Sequence, residues 1–213
     1  MALVASDIVD DVRSILVDDD STEWSDADLL GFVTDAGRLL SNFKPDAYTK
    51  RAFIPMVAGT NQALPTDGIA ILDISQNEVS KRSAVIVDKE LLDAENRFWQ
   101  AATEELDVQG WAADPRDPRR FDVTPPNNGN GSVLALYGAA PPALTTLADA
   151  IVYVDTYKYA LTAFALHRAY AKQSRKGDNA KSQQWLANGL QAVGIKSGAQ
   201  VQVAPKVTAN PGQ

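Results

Sequence analysis

The sequence predicts an α+β fold: a helical bundle built from N- and C-terminal helix pairs, with a small antiparallel β region inserted between them. Three observations carry this. Apolar residues recur at helical spacing in the first 45 residues, the period shortens to strand-like alternation up to about residue 145, and helical spacing resumes from about 149. The implied organisation is 1–46 as the first helix pair, 47–146 as the β-rich insertion with one short helix, 147–194 as the second helix pair, and 195–213 as an extended tail.

In SDIVDDVRSILV, Ile8, Val12, Ile15 and Leu16 share one helical face and aspartates occupy the other, with Ser6 or Asp7 placed to cap the start. DDDSTE at 18–23 interrupts the pattern. WSDADLLGFVTDAGRLLSNFKP restarts it, with Ser25 as N-cap, Asp26 and Asp28 in the first turn and Pro45 beyond the end. Leu29, Phe32, Val33, Ala36, Leu40 and Phe43 form its apolar stripe.

From 47 onward, short apolar runs alternate with turn formers such as Gly59-Thr60-Asn61 and Asp67-Gly68, predicting four to six strands. DKELLDAENRFWQ predicts a short helix with Leu91, Leu92, Phe98 and Trp99 inward. RFDVTPP, the turn NNGNG and SVLALYGAAPP predict a hairpin. DAIVYVDTYKYALTAFALHRAYAKQSRK, free of Gly and Pro, predicts one uninterrupted helix with a cationic C-terminal end, and NAKSQQWLANGLQAVGI a second. KSGAQVQVAPKVTANPGQ lacks a core-forming pattern and needs a partner to become ordered.

Composition narrows the function classes. The 213 residues contain no cysteine, which excludes disulfides and thiolate metal sites. No apolar run approaches the roughly 20 residues of a membrane span, and the N-terminus turns acidic by Asp7, unlike a signal peptide. A soluble, unexported protein with no membrane partner is expected. The net charge of −7 is uneven: residues 1–48 hold 11 acidic and 3 basic side chains, and the remaining residues 16 and 17. That distribution disfavours sequence-specific nucleic-acid binding, which needs clustered cations to displace counterions.

Catalytic signatures are missing. His167 is the one histidine, sits mid-helix, and has no nominated nucleophile or orienting acid, so a structural or interface role fits it best. DDDSTE lacks the alternating ligands and central glycine of a calcium loop. NNGNG lies between strands, not ahead of a helix, and reads as a turn. Phosphate-loop, dinucleotide and metalloprotease motifs do not occur. No catalytic residue, metal or cofactor is expected, and the chain is not expected to be an enzyme. DPRDPRRFDVTPP, residues 114–126, is the densest charged stretch. Its aspartates suit a metal and its arginines a phosphate, but Pro115 and Pro118 favour a rigid turn into a strand. Arg116, Arg119 and Arg120 are therefore expected to meet carboxylates within the chain or across a subunit interface. On the long helix, Tyr157 and Phe164 share a face with Leu161, whereas others, Tyr159 and Tyr170 among them, point elsewhere. Core packing and an oligomer interface both account for those.

The order of segments WSDADLLGFVTDAGRLLSNFKPDAY, MVAGTNQALPTDGIAILDISQN (56–77), DPRDPRRFDVTPP and YGAAPPAL resembles the tailed-phage head-to-tail adaptor proteins over roughly residues 5–195. The resemblance implies a structural virion protein of the neck, present in the host cytoplasm before assembly. It implies a homo-oligomeric ring, commonly of twelve subunits, beneath the portal protein, extending the DNA channel and offering a platform to the tail or nozzle protein. It also implies that the C-terminal segment docks on the portal, with Val201, Gln202, Val203, Ala204, Pro205, Lys206 and Val207 suited to strand addition. In such a channel the N-terminal acidity gains a use, repelling phosphates weakly, with Asp18, Asp19 and Asp20 the candidates to line it. The alternatives are another neck or tail-completion component, or a non-viral binding module.

Overall fold

A computed structural model of the chain describes residues 3–18, 23–172 and 177–194. It divides into two units. One draws on residues up to Tyr48 and from Ala140 onward, and the other is built on Thr49–Ala139.

The first unit is helical. α1 (Ala5–Leu16) starts where the Asp7 carboxylate accepts the Val4 N–H at 2.9 Å. α2 (Asp26–Phe43) starts on a reciprocal pair: Asp28 N–H donates to Ser25 Oγ and Ser25 N–H donates to Asp28 Oδ2, satisfying two N–H groups the helix leaves open. Lys172, 3.2 Å away, joins the Ser25 hydroxyl in holding the Asp28 carboxyl below its ordinary range, the hydroxyl contributing most. α4 (Lys158–Ala171) is the central element, packed on α1, on α2 and on α5 (Asn179–Ala192). Its alanines explain that position: Ala160, Ala163, Ala165 and Ala169 are buried along with Leu161, Phe164 and Leu166. A helix buried on most sides needs small residues where neighbouring helices approach. Lys158 reaches Asp11 of α1 at 2.8 Å and Arg168 reaches Asp35 of α2 at 2.9 Å, orienting α4 without contributing much stability at such exposed positions.

α4 begins later than the sequence periodicity predicts. Residues 149–157 are not helical, apart from a 3₁₀ turn at Asp155–Tyr157. Their backbone is committed elsewhere: Ala5 N–H donates to Asp149 O and Ile151 N–H to Leu3 O, pairing this segment with the N-terminus. Periodicity reports which side chains are apolar, but these backbone groups already have partners outside a helix.

The second unit corrects the expectation of a helical bundle with a small β insertion. Among the described residues the fold is α+β with five helices and seven strands in two sheets. β1 (Thr49–Pro55), β7 (Ser132–Ala139) and β3 (Gly68–Asn77) form an antiparallel sheet in the order β1-β7-β3. β2 (Ala58–Ala63), β6 (Arg120–Asn128), β5 (Gly110–Ala113) and β4 (Val85–Ile86) form the other, with β4 parallel to β5. Ile71, Ile74, Phe121, Val123, Val133 and Tyr137 are each at most 3% exposed, so the unit has its own core.

β6 and β7 do not form the expected hairpin, since they belong to different sheets. Both edges of each strand are already used: β6 lies between β2 and β5, and β7 between β1 and β3. Asn127 shapes the crossing between the sheets, its side-chain oxygen accepting the N–H groups of Gly129 and Gly131 and its amide nitrogen donating to Leu106 O. Gly131 has no alternative here, because a Cβ would stand 2.4 Å from Asn127 Nδ2 and 2.5 Å from Leu106 O. The short helix α3 (Lys89–Glu95) forms as expected but buries no residue; of its expected inward residues, Leu91 is 57% and Phe98 78% exposed, and only Trp99 is fully buried.

Candidate functional site

The candidate surfaces taken up first are those whose charged and aromatic side chains could meet other chains. The loop between β5 and β6 is shaped by its aspartates as turn acceptors. Asp114 Oδ1 accepts Arg116 N–H at 2.9 Å and Asp117 Oδ1 accepts Arg119 N–H at 3.2 Å. Of the three arginines expected to meet carboxylates, Arg120 lies 3.6 Å from Asp117 and donates to Asn61 Oδ1. Arg119 reaches a carbonyl instead, Thr66 O at 3.4 Å. Arg116 is exposed and makes no ion pair among the described residues. Asp122, 5% exposed, is held by Lys89 and by Asn61 Nδ2, and the Lys89 ammonium is stabilised by that carboxylate, raising its pKa. Among the described residues no group of three or more His, Cys, Asp or Glu side chains is placed to hold a metal ion.

Asp18 is 3% exposed. Its Oδ1 accepts Glu23 N–H and its Oδ2 accepts Trp24 N–H, both at 3.1 Å, with Arg13 at 3.7 Å. A carboxylate so enclosed is turned into the chain and not toward solvent; it anchors Glu23 and Trp24 ahead of α2. Asp19 and Asp20 lie outside the described residues. The sequence signal for this anchor is spacing: an arginine in the last turn of a helix, and an aspartate two residues past that helix and six ahead of a tryptophan.

His167 joins α4 to α5, its Nδ1 lying 2.8 Å from Ser182 Oγ and 3.0 Å from Ser182 O. Tyr170, half-buried, has Lys181 of α5 5.4 Å from its ring centroid, whereas Tyr159 is 56% exposed. The latter is the tyrosine available to another molecule.

A shallow apolar cleft, open to solvent on one side, lies between α2 and residues 141–153, lined by Val33, Gly37, Pro141, Pro142 and Leu161 among others. Its polar neighbours are occupied: Thr34 Oγ1 accepts Leu144 N–H, and the Tyr153 hydroxyl donates to Gly37 O at 2.6 Å and lies 2.6 Å from Ser41 Oγ. Asp149 organises the same segment, with the Thr146 hydroxyl, the N–H groups of Thr145 and Thr146 and the Thr145 hydroxyl together holding its carboxyl far below the usual range.

Burial pushes the Tyr153 phenol up to about 12. Its stabilising contribution is complete below the unfolded-state pKa of about 10 and is lost as pH rises through the folded value. The span amounts to about 3 kcal/mol between pH 10 and 12. Urea unfolding across that range should show a fall in stability that Tyr153→Phe lacks, measured as the difference between the two proteins at each pH.

Residues 201–207, expected to bind a portal, lie outside the described residues. No helix among the described residues is long and apolar enough to cross a membrane. No curated protein matches the chain. The family model of the SU10 adaptor protein matches residues 5–209. That match covers nearly the whole length, and the chain belongs to the SU10 adaptor protein family, a phage head-to-tail adaptor family.

Proposed function

We propose that this phage adaptor assembles as a ring beneath the portal, extends the passage for DNA and presents a platform to the tail. The observation that carries the reading is the family match over nearly the whole length, residues 5–209. The charge distribution supports it: acidity concentrated in residues 1–48 suits a wall along which a polyanion slides without being gripped. Asp19 and Asp20 belong to that acidic segment as candidates to face the passage. Residues 201–207 dock on the portal by strand addition. Arg116, Arg119, Arg120 and Tyr159, exposed as they are, contribute to contacts between subunits.

Mixing the purified chain with isolated portal rings and imaging the product by electron microscopy tests the reading. A second ring stacked coaxially on the portal is expected; a portal left bare at saturating chain concentration overturns the proposal. The same mixture with residues 196–213 deleted should leave the portal unoccupied, and retained binding would refute the docking role of the tail.

A further inference from the structure

The sheet β1-β7-β3 ends on β1, and its ladder shows which backbone groups that edge leaves open. Met56 N–H donates to Gly131 O at 2.8 Å, in the same register that sets Pro55 against Ser132. Antiparallel partners alternate between bonded and unbonded pairs, so Ile54–Val133 and Ala52–Ala135 are the bonded pairs toward β7. Ser132 agrees with this parity, because its carbonyl accepts from Glu78 N–H on the opposite side. Arg51 and Phe53 therefore turn their N–H and C=O groups away from β7, and these groups meet no partner among the described residues. The side chains alternate as well. Arg51 and Phe53 are exposed on the outer face, while Ile54, 3% exposed, and half-buried Ala52 lie on the inner one.

An open edge of seven residues is a template for an extended chain, and native sheets cover or blunt such edges. The sequence holds a segment whose pattern fits this one. VQVAPKV, residues 201–207, follows α5 in sequence and lies outside the described residues. Pro205 has no N–H to give a ladder, so in an added strand it takes a position turned away from the neighbour. That fixes the parity of the whole segment. Gln202, Ala204 and Lys206 bond to β1 and stand beside Arg51 and Phe53 on the outer face. Val201, Val203 and Val207 fall on the inner face, beside Ala52 and Ile54. Hydrogen bonding and burial thus select the same parity, apolar inward and mostly polar outward.

We infer that residues 201–207 add as a fourth strand to the β1 edge of their own chain and stay there until a portal takes them up. The occupant is the chain's own segment because a tether holds it at an effective concentration in the millimolar range, far above that of separate chains in dilute solution. The inference rests on the docking role proposed above and adds its regulation: the portal displaces an intramolecular strand.

The cysteine-free chain allows a direct test. Phe53→Cys is combined in turn with Gln202→Cys, Ala204→Cys and Lys206→Cys, and with Val203→Cys as the opposite parity, and each isolated chain is oxidised. An intrachain disulfide is expected from at least one of the first three at a yield several-fold above that of Val203→Cys. Equal yields throughout, or covalent dimers in place of intrachain bonds, overturn the added strand and leave the docking reading standing. Amide exchange supplies a second measurement: deleting residues 196–213 should make the Arg51 and Phe53 N–H groups exchange about tenfold faster or more, and unchanged rates refute the contact. The best-locked pair is then mixed with portal rings. Oxidised, it should leave them bare, and reduced, it should bind. Binding while locked overturns the tail's part in docking and leaves its place on β1 standing.

Discussion

Phe164→Ala should lower the stability of the helical unit by about 3–5 kcal/mol, read from urea unfolding followed by far-ultraviolet circular dichroism. Phe164 is fully buried in α4, stacks on Phe43 of α2 with centroids 6.2 Å apart, and lies against α5. Three helices therefore lose a common contact, and none can collapse into the void without leaving the others. The site is tight on its far side too. A Cβ on Gly189 would stand 2.5 and 2.7 Å from Phe164 ring atoms. Gly189→Ala alone should cost about 1–3 kcal/mol by overpacking. In the Phe164→Ala background the same change should cost far less, because the ring it strikes is gone. Equal costs in both backgrounds would show that the α4–α5 packing is not set by this pair.

The helical unit was largely legible in the sequence because its determinants are local. Ser25 and Asp28 announce the start of α2 three residues apart, and the apolar stripe from Leu29 to Leu40 names its buried face. Where local and distant demands conflict, pattern fails. The segment 149–157 reads as helix, yet its backbone pairs with Leu3 and Ala5, far away in sequence. In the β unit the failure is larger. NNGNG between two apolar runs satisfies every local rule for a hairpin. The deciding contacts are with strands distant in sequence: β2 and β5 take both edges of β6, and β1 and β3 take both edges of β7, so the two runs lie in different sheets. Polar β2, with the sequence AGTNQA, is a strand only because β6 lies beside it. The candidate surfaces follow the same division. The aspartate turns of 114–120 are local and follow from the residues themselves, whereas the exposure of Phe53, Leu91 and Phe98 depends on where whole strands and helices lie. An apolar residue in a sequence is read as inward by default, and these three are not.

Asp18→Ala should destabilise the helical unit by about 3 kcal/mol, because it removes one partner of a buried ion pair and orphans backbone donors. The carboxylate holds the N–H groups of Glu23 and Trp24, so it fixes the chain on the far side of the loop and seats the fully buried Trp24 indole in the core. Arg13 would keep part of its support, since its guanidinium also donates to Asp18 O and Trp24 O and pairs with Asp26 at 2.5 Å. That retained support is why the expected cost is near the lower end for a broken buried pair. Asp18→Asn should fall between, as an amide oxygen can accept from one of the two N–H groups while its nitrogen donates where Arg13 already donates. The series also separates two roles for an acidic residue in this segment. A carboxylate that served only to repel DNA would leave the urea midpoint of the isolated chain unchanged when removed and would alter only DNA passage in assembled particles. Asp18 should show the reverse: a large loss in the isolated chain, following the order alanine below asparagine below aspartate. An unchanged midpoint for Asp18→Ala would return this residue to the solvent-facing acidic group and remove its role as the anchor of the α1–α2 loop.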